Sequence, residues 1–174
     1  MDHLLAEART LADRGVKELI VIAQDITRYG MDLGDGSSLA GLLKELCKLD
    51  FHWIRLHYLY PEVITDELIQ VIATQPKILH YLDIPIQHCN DNILKAMRRQ
   101  DTKAELLDLL AQLRSRTPGL VLRTSLIPRL PGDAEAELLV PRAFPPQTLI
   151  ARLCLSRFPP TVGRHPDRLA PVPP

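Results

Sequence analysis

The chain contains few of the residues on which several common classes of protein depend. Its three cysteines, at positions 47, 89 and 154, stand too far apart for a disulfide framework or a compact metal-binding loop. The formal net charge is +0, so no global field attracts a nucleic acid or an anionic membrane. The apolar runs are too short to span a bilayer, and the first residues lack the basic-then-apolar order of a signal peptide. We therefore expect a cytoplasmic protein with no membrane span and no direct nucleic-acid signal.

Glycine is also sparse, at 8 of 174 residues. Four glycines fall at positions 30, 34, 36 and 41, but no Lys-Ser or Lys-Thr pair follows them. A phosphate-binding loop needs such a pair to reach the phosphates and their magnesium ion. The sequence therefore gives no support for a nucleoside-triphosphate enzyme of that type.

Up to about Gly119, apolar runs of strand length alternate with helical patterns. This order is typical of successive βαβ units and predicts an α/β fold with a parallel sheet. The pattern fits both a half barrel and an open doubly wound sheet. The predicted strands are Glu18–Ala23, Trp53–Leu59, Tyr81–His88 and Leu120–Ile127.

Capping residues mark the ends of the predicted helices. Gly15 is placed to end the first helix, since glycine adopts the backbone conformation that follows many helices. Thr102 and Glu105 have the spacing of a capping box. The other predicted N-caps are Ser37 or Ser38, Thr65, and Asn90 or Asp91.

Polar side chains cluster where the predicted strands end. The carboxyl ends of parallel strands share one edge of a sheet or barrel, which is where α/β enzymes build their sites. Amide groups there suit ribose hydroxyls or adenine edges, and an arginine suits a carboxylate. The residues concerned are Gln24, Asp25, His57, Tyr58, Tyr60, Gln87, His88, Arg123, Thr124 and Ser125.

Each of these residues also has a purely structural interpretation. Asp25 could cap a turn, Arg123 could pair with a nearby acid, and the two tyrosines could cover the sheet. His57 and His88 could serve a different metal-dependent barrel enzyme, but no paired carboxylate motif accompanies them. The interpretation as a different metal-dependent enzyme is therefore the weakest.

Four segments carry a more specific signal. In this order they resemble the radical S-adenosylmethionine methylthiotransferases, over about residues 1–127. The Ala-Gln-Asp and Gln-His sequences resemble the branch that modifies an aspartate of a small-subunit ribosomal protein more than the tRNA-modifying branch. The segments are residues 22–30 (IAQDITRYG), 53–61 (WIRLHYLYP), 83–88 (DIPIQH) and 94–99 (LKAMRR).

The resemblance implies part of an incomplete TIM-like barrel, with a 4Fe-4S cluster at its top and S-adenosylmethionine (SAM) across the strand ends. It implies a ribosomal protein of the small subunit as the substrate. It also implies that five residues surround the cofactor or the cluster. These residues are Gln24, Asp25, Gln87, His88 and Arg123.

The cluster-binding loop of that family, Cys-x-x-x-Cys-x-x-Cys, does not occur in this chain. Cysteine thiolates hold such clusters, and the three cysteines present cannot reproduce the loop. We therefore expect the chain to be inactive alone. The alternatives are a non-catalytic remnant that binds SAM or the ribosomal protein, and a relative of the tRNA methylthiotransferases.

The C-terminal segment has a different character. Ten of the fifteen prolines lie beyond residue 130, lysine is absent after Lys103, and no strand-helix unit is predicted after about Gly132. We predict a partial barrel domain at residues 1–133 and a disordered or frame-altered Pro/Arg-rich tail at residues 134–174, with a reading-frame change near residues 128–140. Exposed edges at Glu18–Ala23 and Leu120–Ile127 then favour self-association.

Overall fold

The computed structural model describes residues 1–88, 90–127 and 150–155. Its helices are α1 (Asp2–Asp13), α2 (Leu39–Leu46), α3 (Asp66–Thr74), α4 (Asp91–Ala96) and α5 (Lys103–Arg116). A short 3-10 helix covers Pro61–Val63. The strands are β1 (Glu18–Ile22), β2 (Trp53–His57), β3 (Ile78–Asp83), β4 (Val121–Leu126) and β5 (Ile150–Leu155).

The five strands form one parallel sheet in the order β1-β2-β3-β4-β5. Helices connect the first four strands, since parallel neighbours need a crossover connection. Within the parts described, α1 contacts α2, α2 contacts α3, and α3 contacts α5. The predicted α/β fold with parallel units of a partial barrel is confirmed.

Side-chain caps place the helix starts where the sequence predicts them. Ser38 Oγ accepts a hydrogen bond from the Gly41 amide at 3.1 Å. Thr65 Oγ1 accepts one from the Leu68 amide at 3.2 Å. Asn90 likewise caps α4, and Thr102 and Glu105 form the predicted capping box at α5. Each cap satisfies amides that the first helical turn leaves without partners.

The third strand differs from the prediction, because it covers Ile78–Asp83 rather than Tyr81–His88. Pro85 interrupts the backbone ladder, since proline has no amide hydrogen to donate. The chain continues beside β4 with irregular hydrogen bonds. The Ile84 amide donates to the Arg123 carbonyl at 2.9 Å, and the Ile86 amide donates to Thr124 Oγ1 at 3.2 Å.

The sequence predicts no strand-helix unit after about Gly132, but the structure has a strand there, since β5 pairs in parallel with β4. Its sequence, IARLCL, is short and stands among prolines, so periodicity does not reveal it. The predicted exposed edge at Leu120–Ile127 is therefore wrong. Residues 134–149 and 156–174 lie outside the described residues, so the predicted tail and its boundary stay predictions.

The two faces of the sheet differ sharply. Ile54 and Leu56 of β2 have no exposed surface and lie in the main core. Alternate residues point to the opposite face, which the described helices leave open. Side chains on this open face include Ile20, Ile22, Trp53, Arg55, His57, Tyr81, Val121 and Arg123.

Strand β1 forms one edge of the sheet among the described residues. Ile20 and Ile22 are 51% and 60% exposed. Self-association through this edge stays a prediction. In the described part of the chain, no helix is long and apolar enough to cross a membrane.

Candidate ligand site at the ends of the parallel strands

A cavity of ≈590 Å³ lies at the ends of β1 and β2. Three connections build it: the loop after β1, the loop after β2, and the turn between α4 and α5. Its volume is in the range of small-molecule sites, and most of the residues that line it carry polar or charged groups. The lining residues are Ala23, Gln24, Asp25, Arg28, Tyr60, Glu62, Arg98, Arg99 and Gln100.

Asp25 organises the loop after β1. Its Oδ1 accepts hydrogen bonds from the Thr27 amide at 3.0 Å and from the Thr27 hydroxyl. Its Oδ2 accepts one from Arg28 Nε at 3.0 Å. Asp25 therefore caps the turn of this loop, as its structural interpretation predicts. These contacts fix the loop that presents Gln24 to the cavity.

Glu62 joins two arginines across the cavity wall. Arg28 Nη2 donates to Glu62 Oε2 at 3.1 Å, and Arg99 Nε lies 3.6 Å from Glu62 Oε1. The guanidinium carbon of Arg99 also lies 4.7 Å from the centre of the Tyr60 ring. The side chains of Arg99 and Glu62 are only 9% and 12% exposed. The wall is therefore a partly desolvated charge network, in which ion pairs are screened less than at the surface.

Asp101 completes this network behind the cavity wall. Its Oδ2 lies 3.3 Å from Arg99 Nη2. Burial raises the pKa of Asp101 to about 6, although the charge of Arg99 acts in the opposite direction. Glu62 and Glu105 raise this pKa further. The carboxyl group therefore takes up a proton at a higher pH in the folded chain than in the unfolded chain.

Replacing Asp101 with asparagine is expected to change how stability depends on pH. Between about pH 4 and pH 6 the folded wild type binds the extra proton, so its free energy of unfolding falls as the pH rises. The Asp101→Asn variant cannot titrate at this position. Its stability relative to the wild type should rise by about 2 kcal/mol between pH 4 and pH 7. Urea unfolding at several pH values measures this difference, and a difference independent of pH would contradict the prediction.

Arg123 lies on the open face of the sheet, paired with Asp83. Arg123 Nη1 donates to Asp83 Oδ2, and His57 Nδ1 lies 3.7 Å from the same oxygen. Burial lowers the pKa of Arg123, but the hydrogen bond and charge of Asp83 outweigh burial and raise it. Arg123 Nη2 also lies 3.1 Å from Cys154 Sγ on β5. Arg123 therefore pairs with a nearby acid, as its structural interpretation predicts.

Gln87 and His88 lie in the segment that runs beside the end of β4. The Gln87 amide donates to the Ser125 carbonyl at 2.9 Å, and the Gln87 carbonyl accepts from the Ile127 amide at 2.8 Å. Gln87 has φ 73°, which is unusual for a residue other than glycine. His88 is 1% exposed, and its Nδ1 accepts from the Asn90 amide at 3.1 Å.

The structure brings Gln24 and Asp25 together with Tyr60 in the cavity, whereas Gln87, His88 and Arg123 do not line it. The sequence pattern had missed Glu62 and the two arginines of the turn after α4 as cavity residues. Arg98 and Arg99 belong to the segment 94–99 quoted for the family resemblance, but they are not among the predicted site residues. Their position in one of the four recognised segments was the signal that could have found them.

The described residues do not provide a site for an iron-sulfur cluster. Among them, no group of three histidine, cysteine, aspartate or glutamate side chains could hold a metal ion. Cys47 follows α2, and burial raises the pKa of its thiol, which opposes the thiolate form that clusters need. Cys154 contacts Arg123 on the other side of the sheet. Cys89 lies outside the described residues.

The sequence matches the family model described as the radical SAM superfamily over residues 1–139. The chain belongs to the radical SAM superfamily. The match covers α1 to α5 and the first four strands, together with all the residues that line the cavity.

The curated relatives share a narrower name, "Ribosomal protein uS12 methylthiotransferase RimO". The protein from Geotalea uraniireducens is 50% identical over 161 residues, covering 90% of this chain and 36% of the relative. The proteins from Myxococcus xanthus and Anaeromyxobacter sp. strain K are 50% and 52% identical, covering 83% and 79% of this chain. This chain spans 30% and 29% of their lengths. Over the matched residues, the chain is RimO-like.

These matches extend the resemblance beyond the prediction. Coverage of 90% requires residues of the 134–174 segment, so the predicted limit near residue 127 is wrong. The chain nevertheless spans only about a third of the length of the relatives.

Solved structures confirm the fold. The radical SAM methyltransferase TsrM from Kitasatospora setae, with cobalamin and a [4Fe-4S] cluster bound, has a TM-score of 0.67 at 14% identity. That likeness covers 88% of this chain and 30% of TsrM. The same enzyme with tryptophan and aza-SAM has a TM-score of 0.68 at 15% identity, covering 87% and 29%. At such identity the likeness concerns the fold alone.

Proposed function

We propose that this chain is part of the core of a methylthiotransferase that adds a methylthio group to an aspartate of ribosomal protein uS12. The observation that supports this most is the identity of about 50% to proteins of that name over most of the chain. None of the three relatives named above is a tRNA-modifying enzyme. The protein would act in the cytoplasm, where ribosomal proteins are found.

SAM is the small molecule that the proposed function requires. The strand-end cavity has the volume and the amide, arginine and tyrosine groups that suit a polar ligand with an amino-acid end and a ribose. The proposed cofactor-contacting residues are Gln24, Asp25, Gln87, His88 and Arg123. The last three would contact SAM or its cluster from the open face and the β3–α4 segment rather than from the cavity.

In the family, a 4Fe-4S cluster would supply the electron for the reductive cleavage of SAM. Because the described residues do not fit such a cluster, we propose that this chain cannot catalyse the reaction alone. It would then retain binding of SAM and of uS12 without turnover.

Titration calorimetry and anaerobic reconstitution together test this proposal. We expect the purified chain to bind SAM and to bind uS12 more tightly than another basic ribosomal protein of similar size. After incubation with iron and sulfide, we expect neither stoichiometric cluster absorbance nor formation of 5′-deoxyadenosine. The Gln24→Ala variant should bind SAM more weakly, whereas Gln112→Ala on α5 is the matched control.

Two results would contradict different parts of the proposal. A reconstituted cluster that cleaves SAM would show that the chain is catalytic alone. Failure to bind both SAM and uS12 would contradict the proposed function.

A further inference from the structure

Arg98 occupies a backbone position that favours glycine. It directly follows Met97, the C-cap of α4, and has φ 59°. The Arg98 amide donates to the Lys95 carbonyl at 3.0 Å, and the Arg99 amide donates to the Leu94 carbonyl at 2.9 Å. This pair of bonds defines a Schellman motif, in which glycine is usual at the position of Arg98. An arginine there costs conformational energy that glycine avoids, and such strain is often found at functional sites.

The side chain of Arg98 differs from the two other arginines of the cavity. Arg28 pairs with Asp25 and Glu62, and Arg99 pairs with Glu62 and Asp101. Arg98 is exposed and lines the cavity, and its side chain makes no hydrogen bond or ion pair within the described ranges. Its five donors are therefore available to a ligand.

The charges of the cavity limit what that ligand can be. Three arginines and two carboxylates line it, and Asp101 behind the wall brings the sum of these charges to zero, but within the described ranges the Arg98 guanidinium is the one of the three that pairs with no carboxylate. A phosphate dianion would meet the negative charges of Asp25 and Glu62, and like charges at short range disfavour binding. The planar fork of a guanidinium matches a carboxylate through two parallel hydrogen bonds.

We propose that Arg98 binds the carboxylate of a ligand in this cavity, with Gln24 and Gln100 as neighbouring polar groups. The site thus takes a planar carboxylate group. The carboxylate belongs either to an aspartate side chain of the protein substrate or to the amino-acid end of SAM. Both of these identities rest on the proposed function. Binding by Arg98 itself does not depend on turnover.

Two substitutions at this position separate binding from folding. Arg98→Gly removes the guanidinium and also relieves the backbone strain, so the variant should be at least as stable as the wild type. Arg98→Gln removes the charge but keeps a shorter polar side chain. Arg9→Gln, on the exposed surface of α1, is the matched control.

Nuclear magnetic resonance titration measures the affinity of each protein for defined probes. The probes are a capped Gly-Asp-Gly peptide, its Gly-Asn-Gly counterpart, SAM, decarboxylated SAM and inorganic phosphate. Both Arg98 variants should bind the aspartyl peptide or SAM about tenfold more weakly, the effect expected for losing a charge-assisted hydrogen bond. Their affinity for the asparaginyl peptide or for decarboxylated SAM should not change.

The pattern of losses identifies the carboxylate. A loss confined to the aspartyl peptide supports the substrate side chain, and a loss confined to SAM supports the amino-acid end. Unchanged affinity for both carboxylate probes would overturn the proposal, as would tighter binding of phosphate that depends on Arg98. If the peptide binds through Arg98 while SAM and uS12 do not bind the chain, the carboxylate site stands and the proposed function fails.

Discussion

Replacing Arg123 with methionine is expected to lower the free energy of unfolding by about 3–5 kcal/mol. The substitution removes the hydrogen-bonded cation from Asp83, whose side chain is 1% exposed. A buried carboxylate without its partner keeps the cost of desolvation and loses the compensating attraction. Urea unfolding measured by circular dichroism gives the change directly.

Arg55→Met provides the matched control on the same face of the sheet. Arg55 pairs with Glu18 at 2.6 Å, but both side chains are about a third exposed, at 28% and 31%. Exposed pairs of this kind contribute up to about 1 kcal/mol. The double variant Asp83→Asn, Arg123→Met should recover part of the loss, because it leaves no unpaired charge. Equal losses for Arg55→Met and Arg123→Met would show that burial of Asp83 does not determine the effect.

Replacing Gly30 with alanine is expected to destabilise the fold by about 3 kcal/mol or more, from positive-φ strain and a forced backbone shift. Gly30 has φ +87°, and an added Cβ would overlap the Ser37 carbonyl oxygen. The Ser37 carbonyl belongs to the backbone and not to the flexible end of a side chain, so the loop before α2 must move. Thermal and urea unfolding measure the loss.

A substitution at Gly34, in the same loop, measures the cost of backbone strain without the steric overlap of an added Cβ. Its φ is +64°, but an added Cβ would meet no atom within 4 Å. Gly34→Ala should therefore cost only about 1–2 kcal/mol, the price of a left-handed backbone at a residue with a Cβ. Similar losses for the two variants would contradict a role for the Ser37 contact.

Local chemistry made much of the fold predictable. Ser38, Thr65, Asn90 and Thr102 are the N-caps that the sequence indicates, because capping depends on the few residues that surround it. Strand ends were less predictable. Ile84 and Ile86 are buried and extend the apolar run, but the hydrogen bonds to β4 that define their backbone depend on distant residues.

The site was predictable only in part, for a similar reason. Gln24 and Asp25 directly follow an apolar strand, so their position at the sheet edge can be inferred from the sequence. The pairing of Arg99 with Glu62 joins residues 37 positions apart, and no local pattern encodes it. The positive φ of Arg98 is likewise invisible in a sequence, since arginine there replaces the glycine that would signal the turn.

The order of the strands has a consequence for how the chain folds. Among the described strands, each pairs with the strand that follows it along the chain. A ribosome releases such a chain one strand and one crossover at a time, and each unit can dock as it emerges. We therefore expect β1 and β2 to pair before β4 is synthesised, with β5 pairing with β4 after that.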